Sequence, residues 1–255
     1  MPVVLVTGGA KRVGKAIIQK FTGAGYKCLV HANRSEDDAK QLCRSIRDFG
    51  GVADYFLHEI KDPDVASDVM LDACWDFYGE LPMSSNLSAA SYDIDPLGVP
   101  LQSITASQLS LNFLFPSAYC AALARRIPSE PKRVDRSVTL FTDYKVSKVN
   151  GDMFAYSLSK HALEGVIPYL TVAFARQIRV NAIAPGPTLS AHGLTQEELD
   201  AIVMSSNISG QKPLVEDIAS TALFLASTPS LYGQHIFVDA AARFEMGARE
   251  FGVKK

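Results

Sequence analysis

The sequence predicts an α/β fold, a doubly wound parallel sheet covered by helices on both faces, three layers deep, as a single domain over residues 1–255. Three observations carry that expectation. Short apolar runs alternate with amphipathic helical stretches along the whole chain, the pattern of strand-helix-strand units rather than of hairpins. The first strand-to-helix junction is a glycine-rich turn, Thr7-Gly-Gly-Ala-Lys-Arg-Val-Gly14. Finally, 255 residues of 47% hydrophobic content are enough to bury one large core without a second domain.

Taken in order, Val3 to Val6 reads as a buried strand, and a helix is expected over Lys15 to about Thr22. A turn between them offers backbone N–H groups and the positive end of a helix dipole, which suits a pyrophosphate. Arg12 stands where the usual middle glycine would be, beside Lys11. Lys27 to Ser35 is the second strand and its exit. An acid near this exit binds the adenine-side ribose of NAD, whereas arginine accommodates the 2′-phosphate of NADP. Here the acid is absent and Arg34-Ser35 occupies the turn, so NADPH is the expected cofactor.

A helix over Glu36 to Asp48 stops at Gly50-Gly51, and Val52 to Leu57 forms strand three. Asp62 to Tyr78 is a helix whose apolar positions read as Val65, Val69, Ala73, Trp75 and Phe77, with Trp75 assigned to core or interface packing rather than to a cofactor contact. A short strand near Leu81 to Ser84 follows. The polar stretch Ser85 to Tyr92 then leaves the carboxyl end of a parallel strand, where open α/β sheets bind ligands. This makes Asn86, Ser88 and Tyr92 site candidates, and Asp93 to Pro100 a loop for substrate contacts.

Thr105 to Arg126 is a long helix mildly interrupted at Pro116, and Ser129 to Arg136 is a polar connection. Ser137 to Thr142 is a strand delivering Asp143, and the next helix carries Tyr156 and Pro168. Arg179 to Ala184 is a buried strand ending in Pro185-Gly-Pro-Thr188. Residues 187–212 read as a substrate lid with a short amphipathic helix from Thr195 to about Ser205. Val215 to Ser227 and Gln234 to Val238 complete the alternation.

The chemistry centres on Tyr156-Ser-Leu-Ser-Lys160. Residues four apart share a helix face, so a phenol and an ammonium project into one cleft, where the cation favours the phenolate and brings its pKa toward working pH. Composition alone gives about half a chance Tyr-x-x-x-Lys match per chain, so the spacing decides nothing by itself. A second match exists at Tyr144-Lys-Val-Ser-Lys148. Tyr144 directly follows a strand and runs into Asn150-Gly151, whereas Tyr156 opens an apolar-periodic run through Ala162, Leu163, Val166 and Ile167. Only the later pair is placed on a helix. Asp143 has two readings, an acid partner for Tyr156 or a cap for the turn after its strand.

Net charge of -2 and a pI near 6.2 give no basic field of the kind nucleic acid requires. The cysteines, Cys28, Cys43, Cys74 and Cys120, lack metal-ligand spacing and read as reduced core or surface thiols, and the five histidines form no ligand pattern, so no metal is expected. A strand already at Val3 leaves no room for a signal peptide, and no apolar run reaches the ~18 residues of a membrane span. A soluble, cytoplasmic protein with no membrane and no nucleic-acid partner is expected.

Thr7-Gly8-x5-Gly14, Asn112, Asp143, Tyr156-x-x-x-Lys160 and Arg179-Val-Asn-Ala-x-Ala-Pro-Gly186, in this order and spacing, resemble the short-chain dehydrogenases/reductases over essentially the whole chain. Most of that family carries Ser where Asp143 stands. Asp143, Arg12 and His31-x-x-Arg34-Ser35 together resemble the pteridine reductase subgroup, and Phe141-Thr-Asp-Tyr144 leading to Ala155-Tyr156 its dihydromonapterin reductase-like members.

The resemblance implies a Rossmann-type NADP-binding domain. Tyr156 and Asp143 would be the proton-donating pair, Lys160 would hold the nicotinamide ribose and depress the Tyr156 pKa, and Asn112 would seat a water in a proton relay. The cofactor set it implies is Gly8, Lys11, Arg12, Val13, Gly14, His31, Asn33, Arg34, Ser35, Asn86, Ser88, Pro185, Gly186 and Thr188, with Tyr156 and Lys160. Arg12, Ser88, Tyr92, Asp143 and Tyr156 would meet substrate. The implied activity is NADPH-dependent reduction of a dihydropterin, dihydromonapterin, dihydrobiopterin or dihydrofolate, by a homotetramer packed through the Asn112 and Tyr156 helices. Rival readings are an NADPH-dependent carbonyl reductase, for instance of 3-oxoacyl thioesters, and a non-catalytic NADP-sensing protein. The family's Asn-Asn-Ala, the aromatic residue that would stack on a pterin, and Val-Asp-Gly-Gly become Ser85-Asn86-Leu87, Ala90 and Val238-Asp-Ala-Ala241 here, leaving Tyr92 as the candidate for stacking.

Overall fold

In the computed structural model, which describes residues 1–88, 101–128, 134–149, 153–190 and 193–244, the apolar runs become strands β1 (Val3–Thr7), β2 (Lys27–Ala32), β3 (Ala53–Leu57), β4 (Ser84–Leu87), β5 (Ser137–Phe141), β6 (Arg179–Pro185) and β7 (His235–Val238). They form one 7-stranded sheet in the order β3-β2-β1-β4-β5-β6-β7. Every pairing is parallel. The helices are α1 (Arg12–Gly23), α2 (Glu36–Asp48), α3 (Pro63–Tyr78), α4 (Leu101–Leu109), α5 (Phe115–Arg125), α6 (Phe154–Phe174), α7 (Gln196–Ser206) and α8 (Val215–Ser227).

Strand β1 shows how the layers arise. Successive side chains point to opposite faces, so Val4 and Val6 join Ile17, Phe21, Leu42, Ile218 and Leu225 of α1, α2 and α8. Val3 and Leu5 join Met70, Leu71, Tyr119, Leu123, Leu163 and Ile167 of α3, α5 and α6 on the other face. All five β1 residues are buried, as a central parallel strand covered on both sides requires. This is a three-layer, Rossmann-type single domain. The chain leaves β1 toward β2 on one side and β4 toward β5 on the other. Thr7 is paired with Leu87, so both exits reach the same level and open the crevice in which such sheets bind ligands.

Several expectations need correction. The fourth strand was expected over Leu81 to Ser84 and is Ser84–Leu87. Pro82 has no N–H for a ladder, and the Arg136 guanidinium donates to the carbonyls of Leu81 and Pro82, both at 2.9 Å. Ser85 and Asn86 therefore lie within the sheet and not in its exit. Ser85 is kept there by a 2.7 Å hydrogen bond between its hydroxyl and Tyr119. On α3 the buried face is Ala66, Ser67, Met70, Leu71 and Cys74, whose apolar members join Tyr119 and Leu123 of α5 in one core cluster. Trp75 is 59% exposed and not a core residue, and Val65 and Phe77 are also exposed. All four cysteines are free and buried, none on the surface.

Helix α1 begins at Arg12, three residues earlier than expected. The interruption expected at Pro116 is a widened turn, Ser110–Leu114, that joins α4 to α5 without a break. Pro116 has no N–H to give the Asn112 carbonyl four residues earlier, and the ladder shifts so that the Phe115 N–H donates to Ser110. A single-turn insertion of this kind often marks a functional site. The loop expected over Asp93 to Pro100, Tyr92, Ala90 and Asn150-Gly151 lie outside the described residues.

Candidate active site

The cofactor end is shaped by close backbone packing. Gly8 has φ +62°, and a Cβ there would lie 2.8 Å from the Ser88 carbonyl oxygen. The turn after β1 thus rests on the exit of β4. At Gly14 a Cβ would come within 2.3 Å of the Gly8 carbonyl oxygen, so no side chain fits. Gly9 N–H donates to the His31 carbonyl at 3.0 Å, tying the turn to β2. Lys11 precedes α1 without a side-chain cap and the first turn has no acid. Its N–H groups and dipole are thereby left to an anion, and the residues present fit a dinucleotide pyrophosphate.

Beside this turn is a hollow lined by Gly8, Lys11, Asn33, Arg34 and Ser35. It brings Lys11 and Arg34 to one hollow, with Lys11 also paired to Asp38 at 2.8 Å. His31 reaches the turn only through its main chain. Its imidazole is buried with Nε2 2.9 Å from the His58 carbonyl, and burial lowers its pKa to about 4. Asn86 is fully buried in β4, and its Oδ1 has no hydrogen-bond partner among the described residues.

The reactive end is organised by Asp143, the residue where β5 gives way to the 3-10 turn Tyr144–Val146. Its two carboxylate oxygens make separate contacts. Oδ1 accepts the Lys145 N–H at 2.9 Å, capping the turn, while Oδ2 accepts the Tyr156 hydroxyl at 2.6 Å. Burial raises the Asp143 pKa, opposed by the hydrogen bonds from Tyr156 and the Lys145 backbone and by the charges of Lys160 and Lys145. The result is a carboxyl and a phenol holding one short hydrogen bond at the wall of a cleft.

Lys160, one turn further along α6, is 3% exposed and donates to the Phe141 carbonyl at 2.7 Å. Burial lowers its pKa to about 8 despite the nearby Asp143 charge. Its Nζ sits 5.6 Å from the centre of the Tyr156 ring. Asn112 is also buried. Its amide donates to Gln108 at 2.8 Å and to the Ser159 hydroxyl at 3.1 Å, and that hydroxyl donates to the Tyr156 carbonyl at 2.6 Å. Asn112 therefore ties the α4–α5 rod to the turn of α6 that carries Tyr156.

Gly8, Lys11, Arg12, Val13, Gly14, Ser88, Asp143, Tyr156, Lys160, Pro185, Gly186 and Thr188 line one cleft of about 430 Å³. Asn33, Arg34 and Ser35 line the adjoining hollow. His31, Asn86 and Asn112 stand behind these walls, and Tyr92 is outside the described residues. Arg12 reaches across the cleft, donating to the carbonyls of Ser190 at 2.8 Å and Leu189 at 3.0 Å. It does so from φ +52°, a conformation costing a non-glycine residue roughly 1–2 kcal/mol. Helix α7, opened by a Thr195/Glu198 capping box, closes the same side through Leu194 and Leu199.

Phe141, Thr142, Tyr144, Lys145, Met153, Pro187, Leu189, Leu194 and Leu199 also line the cleft and are not among the site candidates of the sequence. Their only signal is position beside Asp143, just before Tyr156, or within residues 187–212. Among the described residues no group of three or more His, Cys, Asp or Glu could hold a metal ion, and no helix is long and apolar enough to cross a membrane.

A parallel sheet with a nucleotide turn after its first strand and a Tyr-Lys helix after its fifth defines a class. The model of the family described as enoyl-(acyl carrier protein) reductase matches residues 8–241, and the chain belongs to this family of short-chain dehydrogenases/reductases. The chain is similar to pteridine reductase 1 of Leishmania tarentolae, 23% identical over 266 residues, which cover 91% of this chain and 92% of that one. It is also similar to 1,2-dihydroxy-1,2-dihydronaphthalene dehydrogenase of Pseudomonas putida, 26% identical over 240 residues, 88% of this chain and 89% of that one. Among solved structures, FolM alternative dihydrofolate reductase 1 from Brucella suis, in complex with NADP, superposes with TM-score 0.87 at 27% identity over 97% of both chains. The Brucella canis protein of the same description, also complexed with NADP, gives 0.86 at 28% identity over 99% of this chain and 98% of that one.

Proposed function

We propose that this oxidoreductase reduces a dihydropterin, of the dihydromonapterin, dihydrobiopterin or dihydrofolate kind, to the tetrahydro form with NADPH. The observation that carries this reading is the 2.6 Å bond from Tyr156 to Asp143 at the cleft wall. A carboxylate has about four acceptor positions, and two of those of Asp143 are taken by Tyr156 and the Lys145 N–H. The remaining two can accept from the ring donors of a pterin, which a serine at this place would do less well.

NADPH, when bound, supplies the hydride to the imine carbon. The chain's residues manage the proton that the adjacent ring nitrogen must gain. Tyr156 Oη is the donor, and Asp143, its pKa raised by burial, shares and replaces that proton. Lys160 holds a positive charge beneath the Tyr156 ring and is the candidate to grip the nicotinamide ribose. Lys11 and Arg34 take the 2′-phosphate, and the α1 N-terminus and Arg12 take the pyrophosphate side. Residues 187–212 act as the lid, tied by Arg12 to the cofactor turn. The full span 1–255 works as one NADP-binding domain in the cytoplasm. It assembles as a homotetramer, supported by the exposed apolar line Phe154, Leu158, Tyr169 and Val172 along α6.

The dehydrogenase relative keeps a carbonyl or alcohol substrate as the second reading. NADPH oxidation at 340 nm with dihydromonapterin, dihydrofolate and an acetoacetyl thioester separates them. Turnover of a pterin and not of the thioester is expected. Turnover of the thioester alone overturns the pterin reading, and NADPH binding without any turnover favours a sensor.

A further inference from the structure

Most cations lining the cleft already have anionic or carbonyl partners. Lys11 pairs with Asp38, Arg12 bonds the lid carbonyls, and Lys160 bonds Phe141. Lys145 differs. It is half-buried on the 3-10 turn, its Nζ lies 2.9 Å from the Met153 sulfur, and it makes no ion pair among the described residues. A thioether is a weak, uncharged acceptor and leaves an ammonium ready for a stronger one. The same cleft is also lined by Tyr144, Met153, Leu194 and Leu199. A cleft that offers aromatic and aliphatic walls together with this cation suits an aromatic ring that carries a carboxylate beyond it.

We propose that Lys145 determines substrate specificity by receiving a carboxylate of the substrate tail, so that the enzyme prefers a dihydropterin with an anionic aryl tail over one with a neutral tail. The inference rests on the pteridine reductase reading of the site and names the substrate class within it. Asp143 Oδ1 is held by the Lys145 main-chain N–H, while the side chain turns to Met153 and reaches Asp143 only through its charge, without a direct contact. A charge-assisted contact at a half-exposed site is modest in size and is screened by salt.

The test measures kcat and KM of the full-length enzyme at saturating NADPH for dihydrofolate, which carries a benzoyl-glutamate tail, and for dihydrobiopterin, whose tail is neutral. In Lys145→Met the ratio of kcat/KM for dihydrofolate to that for dihydrobiopterin falls about tenfold, through KM rather than kcat. In Lys145→Arg it stays within about threefold, and in the wild type it shrinks as salt is raised. Equal losses on both substrates, or an unchanged ratio, overturn the proposal and assign the Lys145 charge to Asp143 or to nothing. If the wild type turns over neither pterin, the reading of the site falls and this inference falls with it. If it turns over both while the ratio ignores Lys145, this inference alone falls.

Discussion

Tyr144–Lys148 and Tyr156–Lys160 share one spacing and lie twelve residues apart, yet they meet different fates. Tyr156 and Lys160 occupy successive turns of α6, buried, with the phenol on Asp143 and the ammonium on the Phe141 carbonyl. Tyr144 opens a 3-10 turn that ends at Val146, and Lys148 beyond it reaches the Ala242 carbonyl at 3.3 Å. The first pair shares a face and a low-dielectric cleft. The second shares neither. A four-residue spacing becomes a chemical unit only when a helix carries it and the sheet edge supplies an acid and a carbonyl opposite.

The largest effect expected on this contrast is from Tyr156→Phe. Removing the general acid should lower kcat about 10²- to 10⁴-fold with NADPH affinity retained, read by single-turnover absorbance and cofactor titration. Asp143→Asn comes next, at about tenfold to a hundredfold in kcat/KM for the pterin. It also carries a pH signature. Because burial raises the Asp143 pKa, the folded state holds an extra proton just above the ordinary carboxylate value. Stability therefore falls as pH rises from that value through the folded one, and the Asn variant should lack this fall in a series of urea melts.

Lys160→Met sharpens the comparison from the cation's side. Lys160 has its pKa lowered from 10.5 to about 8, so the folded state binds fewer protons than the unfolded chain between those values. The stability of the wild type relative to the Met variant should rise across that window, on the order of 3 kcal/mol. Urea unfolding of both proteins at the two ends of the window checks it. The smallest effect is expected from Lys148→Met, with kcat/KM within about twofold of wild type because it replaces one partly solvated contact. A loss there as large as at Lys160 would break the distinction between the two pairs.

Much of this was legible in the sequence because it depends on neighbours along the chain. Helical periodicity after Tyr156, the glycines around Lys11-Arg12 and the missing acid before Arg34 are local facts, and the structure sets these residues around one cleft and its adjoining hollow. The failures are equally particular. Ser85-Asn86 read as a loop because polar residues in a buried strand need partners, and Ser85 finds Tyr119 thirty-four positions away. On α3 Trp75, Phe77 and Val65 lie outside while Ala66, Met70, Leu71 and Cys74 are buried, a choice of face that the neighbouring helix and sheet decide.

The sequence by itself determined the alternation of strands and helices, the phosphate-binding turn, the cationic exit of β2 and the choice between the two Tyr-Lys pairs. Each of these follows from torsions, periodicity and charges within a few residues. Only the tertiary structure decided that Asp143 both caps its turn and bonds Tyr156, that Arg12 reaches the lid across 178 positions, and that the Lys145 ammonium rests on a thioether. Those contacts join segments brought together by parallel strand order and helix packing, and hydrogen bonds depend on distance in space rather than in sequence.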